Sequence, residues 1–90
     1  MTTVTEMKLK GRLRVGSMVN YVLDSDMKNS GEIRPAVIVK IWGMDNGCSQ
    51  LQVFMDGNGS QFNDGEPNVV WKTSIVFDEN KEMGTWHFSD

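Results

Sequence analysis

The chain has 90 residues, of which 39% are hydrophobic and 23% charged, and its formal net charge is −3. These values predict one globular domain with a single modest core, and they make two domains implausible. The acidic balance argues against a general binder of DNA or other long nucleic acid, because affinity for a polyanion comes mostly from lysine and arginine.

The N-terminal stretch combines a frayed end, residues 1–6, with a basic row. Residues 7–15 alternate apolar and basic side chains, and residues 7–14 carry four cations and no acid. The alternation predicts an edge strand, since lysine and arginine commonly protect sheet edges. The alternative is a basic arm that reaches a phosphate-bearing ligand. Residues 44–66 carry four acids and no base, so we expect one side of the molecule to be basic and another acidic. This asymmetry either favours head-to-tail self-association or only keeps the protein soluble.

After a strand at residues 18–23 and a polar loop at residues 24–31, the most strand-like segment of the chain follows at residues 34–43, with the sequence RPAVIVKIWG. We expect it at the centre of the sheet. Both of its faces are largely apolar, so it should be covered on both sides. Val37, Val39 and Ile41 are predicted to form its core face.

Three further strands are predicted at residues 50–56, 69–77 and 85–88, the first of them in a hairpin with the central strand. Residues 57–68 form a long glycine-rich loop, which is either a binding loop or a merely flexible one. No segment has a convincing helical period. The pattern predicts an all-β single domain: a small barrel or a strongly bent antiparallel sheet, SH3-like, of about five strands.

Catalytic, metal-binding and membrane patterns are absent from the sequence. Ser74 lacks the glycine-flanked elbow of a hydrolase nucleophile, and a lone histidine such as His87 is more often structural than catalytic. Cys48 is the single cysteine, so neither a disulfide framework nor a zinc site is expected. With no apolar run of roughly 18 residues and no secretory leader, we expect a cytoplasmic protein without a membrane partner. We predict no enzyme and no cofactor.

Aromatic and basic side chains give the stronger functional signal. A nucleobase stacked on an aromatic ring contributes roughly 1–3 kcal/mol, and lysine or arginine contacts to phosphate are charge-assisted. The competing interpretation is that tryptophan fills the core, and at least two of the three indoles are expected to be buried. The candidate ligand-binding residues are Arg34, Lys40, Trp42, Phe54, Asp56, Asn58, Trp71, Lys72, Ser74, Trp86 and His87.

Four short motifs follow one another between residues 32 and 88. They are Arg34-Pro35-Ala36, the segment QVFMDG at residues 52–57, Trp71 with Thr73-Ser74, and the segment GTWH at residues 84–87. In this order they resemble a group of small proteins, mostly without assigned function, that are encoded by tailed bacteriophages. The basic N-terminal row lies outside the resemblance.

Small phage proteins with a known role are inhibitors of host defence, including oligomeric sponges that sequester cyclic-nucleotide signals, or accessory parts of the virion. The resemblance does not choose between these roles. Together with the clustered aromatic and basic residues and the missing catalytic set, it leads us to predict a non-enzymatic phage protein that sequesters a nucleotide-derived immune signal in the host bacterial cytoplasm. The alternative is a protein-binding module, either a virion component or an inhibitor that docks on a host protein through the acidic residues 44–66. Nanomolar capture requires about −12 kcal/mol, more than one shallow barrel supplies, so we expect a homo-oligomer with its pocket between subunits.

Overall fold

The structure is a computed structural model that describes residues 4–27, 29–55 and 68–89. All strand pairs are antiparallel and belong to one five-stranded sheet with the order β4-β3-β2-β1-β5. The predicted all-β class and strongly bent five-stranded sheet are confirmed, and the 34–43 segment supplies its middle strand. The elements are α1 (Val4–Leu9), β1 (Met18–Val22), β2 (Ile33–Ile41), β3 (Ser49–Phe54), β4 (Val69–Ile75) and β5 (Trp86–Phe88).

The sheet bends so far that its two ends approach each other. Just after β4, the Trp86 N–H of β5 donates to the Val76 carbonyl at 3.0 Å, and the Asp78 N–H donates to the Trp86 carbonyl at 2.9 Å. Only one isolated parallel bridge, Phe77 to Trp86, joins the two ends in the described part of the chain. The sheet is therefore strongly bent there without being closed into a barrel.

The core fills the concave side of this sheet. Trp86 is its largest side chain, and the indole N–H donates to the Gly47 carbonyl at 2.9 Å, which satisfies its one polar group. Phe77 and Phe88 pack on the indole with ring centroids 5.1 Å away. The other buried apolar residues are Leu9, Leu13, Val19, Tyr21, Val22, Leu23, Ala36, Ile38, Leu51 and Val53.

The core face of β2 differs from the prediction because a bulge interrupts the alternation. Ala36 and Ile38 are fully buried, and the register with β3 shifts between Ile38 and Lys40. Val39 is thus the extra residue of the bulge and is exposed, whereas Ile41 beyond it packs against the core. The prediction that Val37 and Val39 face the core was wrong, as was the expectation that both sides of β2 are covered.

The basic row is not an edge strand, because it begins in a helix. Leu9 and Leu13 are buried at a spacing of four, and the Leu13 N–H donates to the Leu9 carbonyl at 3.0 Å. Gly11, with φ of 76°, takes the left-handed conformation that ends helices. The edge-strand prediction was therefore wrong, and residues 4–6, predicted as part of a frayed end, belong to α1.

Candidate functional site

A tight turn between β4 and β5 builds one wall of the candidate site. The Asp78 carboxylate accepts the Asn80 N–H at 2.9 Å, and the Lys81 N–H donates to the Asp78 carbonyl at 3.1 Å. Lys81 itself has φ of 61°, and the Thr85 hydroxyl closes the turn on the Glu82 carbonyl at 2.6 Å. These local bonds hold the Lys81 side chain beside β5.

A cleft of about 240 Å³ lies between this turn, β5 and the N-terminal segment. Two of its lining residues are aromatic: the rings of Phe77 and Phe88 pack at a tilt of 50° with centroids 5.4 Å apart. Its walls are mainly cationic. We call it the His87 cleft, and its lining residues are Lys8, Arg12, Phe77, Glu79, Lys81, His87 and Phe88.

Positive charge dominates the His87 cleft, with three cations against one carboxylate among its lining residues. Lys8 forms an ion pair with Glu79. The Arg12 guanidinium lies over the Phe88 ring, 3.8 Å from its centroid, in a cation–π contact. An anion entering the cleft therefore meets a favourable potential.

His87 is the buried polar group of this cleft. It is only 6% exposed, and its Nδ1 atom has no hydrogen-bond partner among the described residues. Burial, and then the positive charge of Lys81, hold the pKa of His87 below its ordinary value, which favours the neutral ring. Leaving such a nitrogen unpaired costs about 1–3 kcal/mol.

Four of the predicted ligand-binding residues, Lys40, Trp42, Phe54 and Trp71, lie away from the cleft on the outer side of β2, β3 and β4. Cross-strand pairing sets Gln52 between Val37 and Trp71, and Phe54 beside Val69. The Lys40 ammonium lies 4.5 Å from the centroid of the Trp42 ring. We call this surface the open face, defined by Val37, Lys40, Trp42, Gln50, Gln52, Phe54, Val69 and Trp71.

Two of the three indoles are on the surface of the molecule. Trp42 is 53% exposed and Trp71 58%, whereas Trp86 is fully buried. The prediction that at least two would be buried was wrong. Trp42 follows the end of β2, and Trp71 pairs with Gln52, which the alternation of β3 directs away from the core.

The remaining predicted site residues are not grouped at one site in the described part of the chain. Arg34 pairs with Glu32 at 2.8 Å. Trp86 belongs to the core, so a ligand does not reach its ring in this structure. Ser74 is exposed in the register shift between β3 and β4, with φ of 59°. Asp56, Asn58 and the proposed loop up to residue 67 lie outside the described residues.

Lys72 belongs to a polar link between β1 and β4. Its ammonium lies 3.1 Å from the Asp24 carboxylate, which also accepts the Tyr21 hydroxyl at 2.7 Å. Burial acts to raise the pKa of Asp24, but the hydrogen bonds from Tyr21 and Lys72 outweigh it and hold that pKa below its ordinary value. Burial, followed by the hydrogen bond to Asp24, raises the pKa of Tyr21. This link stabilises the bend of the sheet.

Sequence reasoning found one member of the His87 cleft, His87 itself, and missed its partners. The alternative interpretation of residues 7–14 as a basic arm contained Lys8 and Arg12 but gave them no position. Lys81 was masked by its surroundings, since it lies in a run of mixed charge at residues 78–82. The available signal was the position of Lys81, three residues after Asp78 in the turn that leads to the strand containing His87.

Comparison of this chain with protein-family models, with curated proteins and with solved structures gives no match. The resemblance to small proteins of tailed bacteriophages therefore stays a prediction. Within the described ranges, no three His, Cys, Asp or Glu side chains are grouped so that they could hold a metal ion. No helix in the same ranges is long and apolar enough to span a membrane.

Proposed function

We propose that this chain binds a small phosphate-bearing, nucleotide-like ligand in the His87 cleft and sequesters it without chemical change. In the setting that the phage resemblance implies, the ligand is a nucleotide-derived immune signal in the cytoplasm of the infected bacterium. The observation that carries the proposal is that His87, whose buried Nδ1 has no hydrogen-bond partner among the described residues, lines a cleft together with Lys8, Arg12 and Lys81.

The chemistry of the cleft matches the two parts of a nucleotide. Lysine and arginine give charge-assisted hydrogen bonds to phosphate oxygens, roughly twice as strong as neutral ones. The planar Arg12 guanidinium, which covers the Phe88 ring, offers a surface on which a base can stack. His87, which also lines the cleft, adds a donor when its proton is on Nδ1.

Sequestration rather than turnover fits the groups that line the cleft. Proton transfer there would fall to His87 and Glu79, and Glu79 is engaged by Lys8. An enzyme of this kind would change its ligand, so ligand recovered from the heated complex distinguishes the two functions. We expect it to be intact by mass spectrometry.

Isothermal titration tests the proposal with AMP, adenosine and inorganic phosphate as probes. We expect AMP to bind more tightly than either fragment, because only AMP engages both the lysine cations and the Arg12–Phe88 pair. Lys81→Met should weaken AMP at least tenfold, since a hydrogen bond to a charged group contributes about 1.5–3 kcal/mol. Lys10→Met is the matched control, because Lys10 is exposed and does not line the cleft. Equal affinity of both variants would refute the site.

A second candidate function, self-association through the open face, is supported by its two exposed tryptophans. We propose a second copy of the chain as the occupant. Of the residues that define the face only Lys40 is charged, and Lys40 already contacts Trp42. In a two-fold pair, Gln50 and Gln52 would meet their own counterparts, and a glutamine amide is both donor and acceptor.

The area of the open face suits a modest interface. Trp42, Trp71 and Phe54 are between 40% and 58% exposed. At about 200 Å² per buried aromatic side chain, they supply on the order of 300 Å², against roughly 800 Å² per partner in a standard interface. The neighbouring aliphatic and amide groups add to this area.

Sedimentation velocity over a concentration series tests the second function. The wild type should show a concentration-dependent dimer, and Trp71→Ser should abolish it. Met83→Ser is the control, because Met83 is 54% exposed but lies outside the open face. A monomer at every concentration would refute self-association. Recovery of a stoichiometric host protein through the same face would instead favour the protein-binding module.

A further inference from the structure

A second basic cleft, of about 580 Å³, shares two lining residues, Arg12 and Phe88, with the His87 cleft. We call it the Arg14 cleft. Beyond the two shared residues, its lining includes Arg14, Ser17 and Met18. Among the described residues that line it there is no carboxylate side chain, and Arg12 and Arg14 give it positive charge.

Backbone hydrogen bonds to β2 fix the position of the Arg14 turn. The Gly16 N–H donates to the Ile38 carbonyl at 2.7 Å, and the Ile38 N–H donates to the Ser17 carbonyl at 3.0 Å. The Ser17 N–H closes the turn on the Arg14 carbonyl at 3.1 Å. Arg14 is exposed, so its guanidinium is available for a bidentate contact with a phosphate group.

The shared wall between the clefts has an ordered aromatic base. Phe88 packs against Trp86 with the two ring planes at 89°, and the Arg12 guanidinium lies 3.8 Å from the centroid of the Phe88 ring. A ligand that crosses from one cleft to the other passes over this pair. Base or sugar groups would lie there, with an anionic group on each side.

We infer that the two clefts form one extended site for a ligand with two phosphate groups, of the dinucleotide class. This inference rests on the proposed function of the His87 cleft. One phosphate would contact Lys8, Lys81 and His87, and the second would contact Arg14. A mononucleotide can fill only the first position.

Isothermal titration with AMP and with the linear dinucleotide pApA tests the inference. The wild type should bind pApA at least tenfold more tightly than AMP. Arg14→Met, which removes the charge but keeps most of the stem, should reduce the affinity for pApA to that for AMP and leave AMP unchanged. Lys10→Met should alter neither.

Three results would overturn the inference. If pApA binds no more tightly than AMP, the Arg14 cleft is not a subsite, although the proposed function stands. If Arg14→Met weakens both nucleotides equally, Arg14 acts only through the general potential of the surface. If neither nucleotide binds the wild type, the proposed function itself fails, and the extended site fails with it.

Discussion

The Arg12 guanidinium lies 3.8 Å from the centroid of the Phe88 ring. This contact attaches the basic N-terminal segment to β5, the strand that contains His87. It also forms the wall that the His87 and Arg14 clefts share. Lys8 and Arg12, near the N-terminus, therefore line the same cleft as the buried His87, near the C-terminus.

Gly47→Ala should destabilise the fold strongly. Gly47 has φ of 72°, and an added Cβ would lie 2.8 Å from the Phe77 Cβ and 3.0 Å from the Trp86 ring. Gly11→Ala is the control, since Gly11 has φ of 76° and no atom within 4 Å of an added Cβ. The left-handed conformation costs either alanine about 1–2 kcal/mol, and overpacking should cost Gly47→Ala about 1–3 kcal/mol more. Urea denaturation measures both, and equal losses would contradict the packing at Gly47.

Asp24→Asn should weaken the link between β1 and β4. The variant keeps an acceptor for the Tyr21 hydroxyl but loses the charge that faces Lys72 at 3.1 Å. A double-mutant cycle with Lys72→Met should give a coupling of about 0.5–1 kcal/mol. Because the pKa of Asp24 is lowered in the fold, its contribution is present above the unfolded pKa near 4 and is lost as pH falls further. A coupling of zero would show that the pair does not stabilise the bend.

Protonation of His87 should make the fold less stable in mild acid. Burial and Lys81 lower its pKa, so the unfolded chain takes up the proton near pH 6.5 while the folded chain does so only at lower pH. The free energy of unfolding should therefore decrease as pH falls below about 6.5. Lys8, Arg12, Lys81 and Glu79 line the same cleft. His87→Gln retains all four and controls for them, so an unchanged pH slope in this variant would contradict the prediction.

Tryptophan fluorescence should separate the three indoles. A Trp42→Phe/Trp71→Phe double variant retains only Trp86, whose ring is fully buried, and its emission should resist quenching by acrylamide. The double variant should lose little stability, because surface substitutions usually change it by less than about 0.5 kcal/mol per site. Trp86→Phe should cost about 2–4 kcal/mol, since it opens a cavity and removes the bond to Gly47. Strong quenching of the lone Trp86 would contradict the described core.

The sequence predicted the sheet well because alternation is a local property. Leu51 and Val53 are buried on one side of β3, and the less buried Gln50 and Gln52 alternate with them, as their period of two indicates. The bulge at Val39 was not predictable in this way, since it is defined by pairing with β3 and the run of β-branched residues favours neither face. Burial of the indoles depends on that same three-dimensional pairing.

The wrong prediction of an edge strand at residues 7–15 has a different cause. Leu9 and Leu13 are separated by four residues, a spacing that fits both one face of a strand and one face of a helix. The alternation of residues 7–15 therefore hid a helical turn. The His87 cleft was equally hidden, because Arg12 and His87 are distant in sequence and come together only when the N-terminal segment packs against β5.

The most direct test of the proposed binding site is the NMR signal of the His87 ring during titration with AMP. The chain has a single histidine, so its imidazole ¹⁵N resonances need no assignment. A phosphate in the His87 cleft should shift the Nδ1 resonance and raise the pKa of the ring, because a nearby negative charge favours the imidazolium form. Ring resonances and a ring pKa that stay unchanged at the highest AMP concentration would contradict binding at this site.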